Sequence, residues 1–156
     1  MLTVLEDDLS SQQSQDLIAF HLAGMGANVP SGAVFLDLSS LQQPNVTVLS
    51  VWEQDRIAGI GALKLLPDGS GELKSMRTHP DFTGRGVGSL LLKALIACAE
   101  IRGVSRLSLE TGSGPAFEAA RKLYEKFGFR KGEPYSGYEQ TEFNHFLHLK
   151  LELVKY

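Results

Sequence analysis

Apolar positions along this chain alternate between two rhythms, a period near 3.6 in a few longer stretches and a period near 2 in shorter runs, with glycine and proline punctuating them. Leu2–Leu5 reads as a short strand. Ser10 or Ser11 can cap a helix whose apolar side is Leu17, Ile18, Phe20, Leu22 and Met25. Residues 26–45 are weakly patterned, with one apolar run at 33–38 that suits a helical turn or a strap. His21, just before this segment, reads as a polar helix position or as a group lining a functional site. Val46–Trp52, Ile57–Leu66 and Glu72–Thr78 are β-rich and form an antiparallel meander, turned at Gln54-Asp55 and at Pro67-Asp68-Gly69.

The second helical pattern is carried by Val87, Leu90, Leu91, Ala94, Leu95, Cys98 and Ile101, and Gly103 stops it. Val104–Glu110 then alternates as a strand parallel to Glu72–Thr78, which predicts one βαβ crossover over residues 72–110. Pro115 suits the first turn of a further helix, with Ser113 as its cap. Ala116, Ala119, Ala120, Leu123, Tyr124 and Phe127 mark the packed side, and Gly128 is a positive-φ stop. A polar, turn-rich stretch over 132–142 leads to a closing strand over 143–154, with Phe146, Leu147, Leu149, Leu151 and Leu153 apolar. The prediction is an α/β fold around a mixed sheet.

The organising stretch lies between the meander and the second helix. Thr83-Gly84-Arg85-Gly86-Val87-Gly88-Ser89 places glycine on alternate positions immediately before a helix. Glycine lets successive N–H groups turn into one concavity, and the helix start adds free N–H groups and the positive end of its dipole. Together these suit a phosphate or diphosphate. The plain alternative is a tight strand-to-helix turn. A Gly-Lys-Ser/Thr ending is absent, which argues against a P-loop, and the Gly-x-Gly-x-Gly spacing after antiparallel strands fits a dinucleotide fold poorly. An oxidoreductase using Glu110 on a ribose is disfavoured by the single crossover.

This stretch resembles the diphosphate loop of the GNAT family of N-acetyltransferases, whose signature is Arg/Gln-x-x-Gly-x-Gly/Ala. Gly86 and Gly88 match, and Thr83 stands in place of Arg/Gln. Ala120-Arg121-Lys122-Leu123-Tyr124-Glu125-Lys126-Phe127-Gly128-Phe129 resembles the family's second motif, Ala-x-x-Leu-Tyr-x-x-x-Gly-Phe, with Phe117 where many members carry Asn. The likeness spans nearly the whole chain and is closest to a bacterial subgroup carrying the equivalents of Gly61–Lys64, Glu72–Met76 and Leu109–Gly112.

The resemblance implies a single domain over 1–156, a mostly antiparallel sheet splayed into a V, and about four flanking helices. It implies acetyl-CoA as cosubstrate, with its diphosphate on the amides of Thr83, Gly84, Arg85, Gly86, Val87, Gly88 and Ser89. Met76, Arg77 and Thr78 would lie along the pantetheine arm, and the Met76 and Thr78 amides would polarise the thioester carbonyl. Tyr124 would protonate the leaving thiolate, and a homodimer is common in the family. The acceptor would be the primary amine of a small molecule, attacked directly in a ternary complex, with a protein or peptide amine, or a non-catalytic CoA-binding module, as alternatives.

Removing a proton from the amine calls for a carboxylate, directly or through water. Glu72 is the first candidate, placed by alternation on one strand face with Lys74, Met76 and Thr78; a surface glutamate beside a turn is the plain reading. Glu110 is second, with His79 and His145 behind it. Residues 20–40 and the 133–145 loop, carrying Tyr135, Tyr138 and Glu139, would line the acceptor side. A net charge of −3 argues against a nucleic-acid binder. The single cysteine, Cys98, suits a reducing cytoplasm, and no stretch predicts a membrane span. The four histidines show no metal-ligand spacing, so no metal is expected.

Overall fold

A computed structural model describes residues 1–25, 38–112, 114–140, 142 and 144–152. Among these residues, seven strands form one sheet. They are β1 (Leu2–Glu6), β2 (Val46–Glu53), β3 (Arg56–Leu65), β4 (Gly71–Thr78), β5 (Arg106–Gly112), β6 (Arg130–Gly132) and β7 (Asn144–Lys150), in the order β1-β2-β3-β4-β5-β7-β6. Three helices accompany them, α1 (Gln12–Met25), α2 (Val87–Ile101) and α3 (Glu118–Lys126), and residues 38–41 are also helical. The expected mixed, mostly antiparallel α/β sheet is therefore present. The β4–β5 pair is parallel, Gly71 against Leu107 and Glu72 against Ser108, as the crossover predicts.

The chain divides into two compact units. The first, Met1–Lys64 with Leu73–Ile96, holds the meander, α1 and most of α2. Ser11 caps α1 by accepting from the Ser14 amide at 3.0 Å. Leu17 and Ile18 pack with Leu9, Leu41, Ile60 and Ala62 in one buried cluster. Gly59 and Gly61 lie at the opposite parity on β3 and let α2 close on the strand. A Cβ at Gly59 would stand 2.6 Å from Val87 Cγ1, and one at Gly61 2.4 Å from Met76 Sδ.

The second unit, Leu65–Glu72 with Ala97–Tyr156, holds β5, β6, β7 and α3. Leu107, Leu109, Phe129, Phe146 and Leu147 are buried there. The end of α3 explains part of its motif. Gly128 has φ +99°, its N–H donates to Glu125 O at 3.0 Å, and Phe129 N–H donates to Tyr124 O at 3.0 Å. These are the two bonds of a Schellman stop, and the accompanying apolar contact is Tyr124 edge-on to Phe129, 5.7 Å between centroids. Gly128→Ala puts a side chain into the left-handed region and its Cβ 3.3 Å from Leu149. We expect it to lower unfolding free energy by about 1–2 kcal/mol, read from urea denaturation.

Several sequence expectations need correction. Ile101 is 74 % exposed, whereas Leu92 and Ala99 are buried. The buried side of α2 is centred near Leu95, so the apolar stripe assigned from Val87 to Ile101 is rotated. The third helix begins with a 3-10 turn, Pro115–Phe117, and its α-helical part starts at Glu118. Ala119 is exposed rather than packed. β6 was not foreseen, because Arg-Lys-Gly carries no apolar alternation. The run at 33–37, the Ser113 cap, Phe143 and Leu153 lie outside the described residues.

Candidate functional site

In the first unit, β4 leads through the 3-10 turn Pro80–Phe82 into the glycine loop. His79 caps that turn, its Nδ1 accepting from Asp81 N–H at 3.1 Å, so the histidine is committed to the turn. Thr83 closes it, its hydroxyl donating to Pro80 O at 3.1 Å. Gly84 and Gly86 then take φ +79° and +80°, with open space where a Cβ would be. Their requirement is conformational, not steric. Leu90 N–H donates to Gly86 O at 3.0 Å, the first turn of α2. The amides of Val87, Gly88 and Ser89 thus precede the helical ladder, and no acidic side chain stands in that turn. Free N–H groups and the positive end of the dipole make this a place where an anion could be held.

Arg85 forms an ion pair with Glu53 and lies 5.0 Å above the Phe82 ring. That contact holds the Glu53 carboxyl below its ordinary range. Arg56 stands 5.1 Å from the same ring and pairs with Asp81 at 2.7 Å. Arg77 is engaged with α1: its Nε donates to His21 Nδ1 at 3.1 Å, and its guanidinium lies 5.6 Å from the Phe20 ring.

Burial, and then the Arg77 charge, lower the His21 pKa from 6.5 to about 4. The folded state therefore binds that proton less readily than the unfolded chain. The contribution is whole above the unfolded value near 6.5 and fades as pH falls toward 4. His21→Gln keeps an acceptor for Arg77 and cannot titrate. We expect its melting temperature to fall less than the wild type's between pH 6.5 and 4, measured by calorimetry across that range.

On β4 the assumed alternation fails. Ser75 has φ +56° in mid-strand, a local kink for a residue that carries a Cβ. Glu72 and the Met76 and Thr78 positions lie on opposite sides of this kink. Parity counting from Glu72 holds as far as Lys74, before the kink, and does not carry on to Met76 and Thr78.

In the second unit, Glu72 is 4 % exposed, not a surface glutamate. Its Oε2 accepts from Tyr135 Oη at 2.9 Å and from Tyr138 Oη at 2.8 Å. Among the described residues both bonds fall on Oε2. Burial first, together with the Glu72 charge and hydrogen bond, pushes both phenol pKa values above the usual tyrosine range. Across the parallel register from Glu72 stands Ser108, fully buried, its Oγ 2.7 Å from His148 Nδ1. His148 Nε2–H donates to Glu133 O at 2.7 Å. Glu110 is exposed and accepts from Asn144 Nδ2 at 2.7 Å. Tyr124 is 7 % exposed on α3. Burial and the Lys131 and Arg121 charges lower the His145 pKa.

The structure thus joins Glu72 to the two tyrosines of the 133–145 loop and leaves Glu110 on the surface. Ser108 and His148 were not singled out from sequence. Ser108 shares the parity of Arg106 and Glu110, with Leu107 and Leu109 alternating between them, so the sequence did not mark it as buried. No group of metal-ligating residues occurs among the described residues, and no helix there is long and apolar enough to cross a membrane.

The chain is similar to known proteins in sequence and in fold. The Acetyltransferase (GNAT) family profile matches residues 14–129. The uncharacterized N-acetyltransferase YedL of Escherichia coli K12 is 46% identical over 152 residues, 97% of this chain and 96% of that protein. The uncharacterized N-acetyltransferase YsnE of Bacillus subtilis 168 is 44% identical over 146 residues, 93% and 97% of the two chains. The crystal structure of a putative acyl-CoA N-acyltransferase from Klebsiella pneumoniae superposes with a TM-score of 0.81 at 27% identity, covering 97% of this chain and 99% of that one. With a family match over most of its length and N-acetyltransferase relatives along nearly all of it, the chain belongs to the GNAT acetyltransferase family.

Proposed function

We propose that residues 1–156 act as one acetyltransferase domain that moves an acetyl group from acetyl-CoA to the primary amine of a small molecule. The observation that carries this reading is the carboxylate of Glu72, buried yet without a cationic partner among the described residues. Burying a carboxyl group is expensive unless its charge or its proton is used. A proton acceptor for an incoming amine accounts for it.

The amine nitrogen attacks the thioester carbonyl carbon, the C–N bond forms, and Glu72 takes the amine proton. The C–S bond breaks, and the leaving thiolate takes a proton from the Tyr124 hydroxyl. Solvent then removes the proton from Glu72 and restores that of Tyr124. The Met76 and Thr78 amides stabilise the developing oxyanion, and the Gly84–Ser89 amides hold the diphosphate. Arg85 reaches a phosphate only by leaving Glu53. A carboxylate that is 4 % exposed and bonded by two phenols supports a small amine over a folded protein surface. The lone, half-buried Cys98 suits the cytoplasm; a homodimer is compatible with this reading.

The test is CoA release from acetyl-CoA against amino acids, polyamines, aminoglycosides and short peptides, with acetyl-CoA binding followed by calorimetry. Turnover with a small amine and not with peptides supports the proposal. Turnover confined to peptides moves the acceptor class, and absence of acetyl-CoA binding rejects the reading altogether.

A further inference from the structure

Two tyrosines three residues apart reach one buried carboxylate oxygen from more than sixty positions along the chain. A tight turn makes this possible. Tyr138 N–H donates to Tyr135 O at 3.0 Å, and the two central residues, Ser136 and Gly137, have φ +52° and +79°. Both central residues at positive φ are the mark of a type I′ turn. It sets positions i and i+3 side by side, so both phenols leave the turn together. Glycine suits that conformation, whereas Ser136 is strained in it.

The rings are then locked from several sides. Tyr135 stands edge-on to Tyr138 at 5.3 Å, to the fully buried Phe146 at 5.8 Å and to His148 at 5.8 Å. Tyr138 stacks on Phe146 at 6.3 Å and 28°. His148 is itself held at both ring nitrogens, by Ser108 and by Glu133 O. Neither phenol can swing without disturbing buried neighbours, so the direction of each O–H is set by packing.

We propose that Tyr135 and Tyr138 are positioning residues for Glu72, saturating Oε2 with two fixed donors so that Oε1 is the oxygen presented to the acceptor amine. This inference rests on the reading of Glu72 as proton acceptor. Neither phenol gains or loses a proton in the reaction. A carboxylate on a flexible side chain samples several rotamers, and proton transfer needs one of them. Two donors on a single oxygen select that one. Tyr138, 36 % exposed, is the member of the pair at the solvent boundary.

The test is a mutant cycle on CoA release, using the best amine of the panel at saturating acetyl-CoA. Tyr135→Phe and Tyr138→Phe keep the rings and delete one donor each; circular dichroism and melting check the fold, and Tyr138→Phe alone is the milder variant. The double phenylalanine variant is expected to lose about 10-fold or more in kcat with the KM for acetyl-CoA unchanged. In a Glu72→Gln background the same two changes should cost under about 2-fold, because groups acting through one residue are not additive. Equal losses in both backgrounds overturn the inference, since the phenols then act independently of Glu72. An inactive Glu72→Gln beside fully active phenylalanine variants overturns it while leaving the base reading intact. A fully active Glu72→Gln removes the base reading itself, and the inference with it. If no amine of the panel turns over, tyrosinate absorbance on alkaline titration decides. Ionisation beginning at lower pH in Glu72→Gln than in wild type supports the clamp, and superimposable titrations overturn it.

Discussion

Glu72→Gln is expected to lower kcat for acetyl transfer by about 10²- to 10⁴-fold, the range that positioned proton transfer commonly supplies, with acetyl-CoA affinity unchanged. The substitution is close to isosteric. Glutamine's carbonyl can still accept from Tyr135 and Tyr138, which donate to Oε2 at 2.9 and 2.8 Å in the wild type. The buried site therefore keeps its packing and loses only the carboxylate that we propose accepts the proton. Glu110→Gln is the matched control. Glu110 is exposed and tied to Asn144, so its replacement should alter kcat by less than about 2-fold, as for a surface substitution away from the chemistry. Thiol release at saturating acetyl-CoA measures both. A large loss in Glu110→Gln with none in Glu72→Gln would transfer the role to the exposed carboxylate.

Local chemistry was the legible part of this chain. The glycine spacing announced a curled loop, which Gly84 and Gly86 make with positive φ, and Gly128 announced the end of α3, because these demands are set within a few residues. The meander and the parallel crossover followed from period and turn signals for the same reason. What failed had distant causes. Ser75 adopts positive φ although nothing in Glu-Leu-Lys-Ser-Met marks a kink, so the parity of β4 could not be carried past it. Tyr135-Ser136-Gly137-Tyr138 reads as a turn, but its target, Glu72, is 63 residues from Tyr135. Ile101 obeys the helical period and still faces solvent, because period alone leaves the centre of the buried stripe free by tens of degrees. The pairing of Arg85 with Glu53, from β2, was equally unmarked in the sequence.

The glycines of β3 pack against α2, at whose start we propose that the cosubstrate binds, and Gly59→Ala should affect stability and binding at once. A Cβ there would lie 2.6 Å from Val87 Cγ1 and 3.3 Å from Arg77 O. Valine is β-branched and has one favoured rotamer in a helix, so Val87 relieves the clash only by moving its backbone. Val87 is the first residue of α2, directly after the positive-φ Gly86. We expect Gly59→Ala to cost about 1–3 kcal/mol, as overpacking of a tight core does, and to weaken acetyl-CoA binding several-fold by displacing the first amides of the helix. Gly61→Ala provides the contrast. Its nearest neighbour is the Met76 sulfur at 2.4 Å, followed by Leu95 Cδ1 at 3.1 Å and Leu91 Cδ2 at 3.2 Å. Methionine repacks readily, and these leucines lie a turn or more beyond the loop. Gly61→Ala should therefore lower the melting temperature, by roughly 2–4 °C for each kcal/mol lost, and leave acetyl-CoA affinity intact. Thermal melting paired with calorimetric titration of acetyl-CoA separates the two. Equal affinity losses in both variants would mean that the loop responds to general softening of the unit, and that Val87 does not transmit the strain.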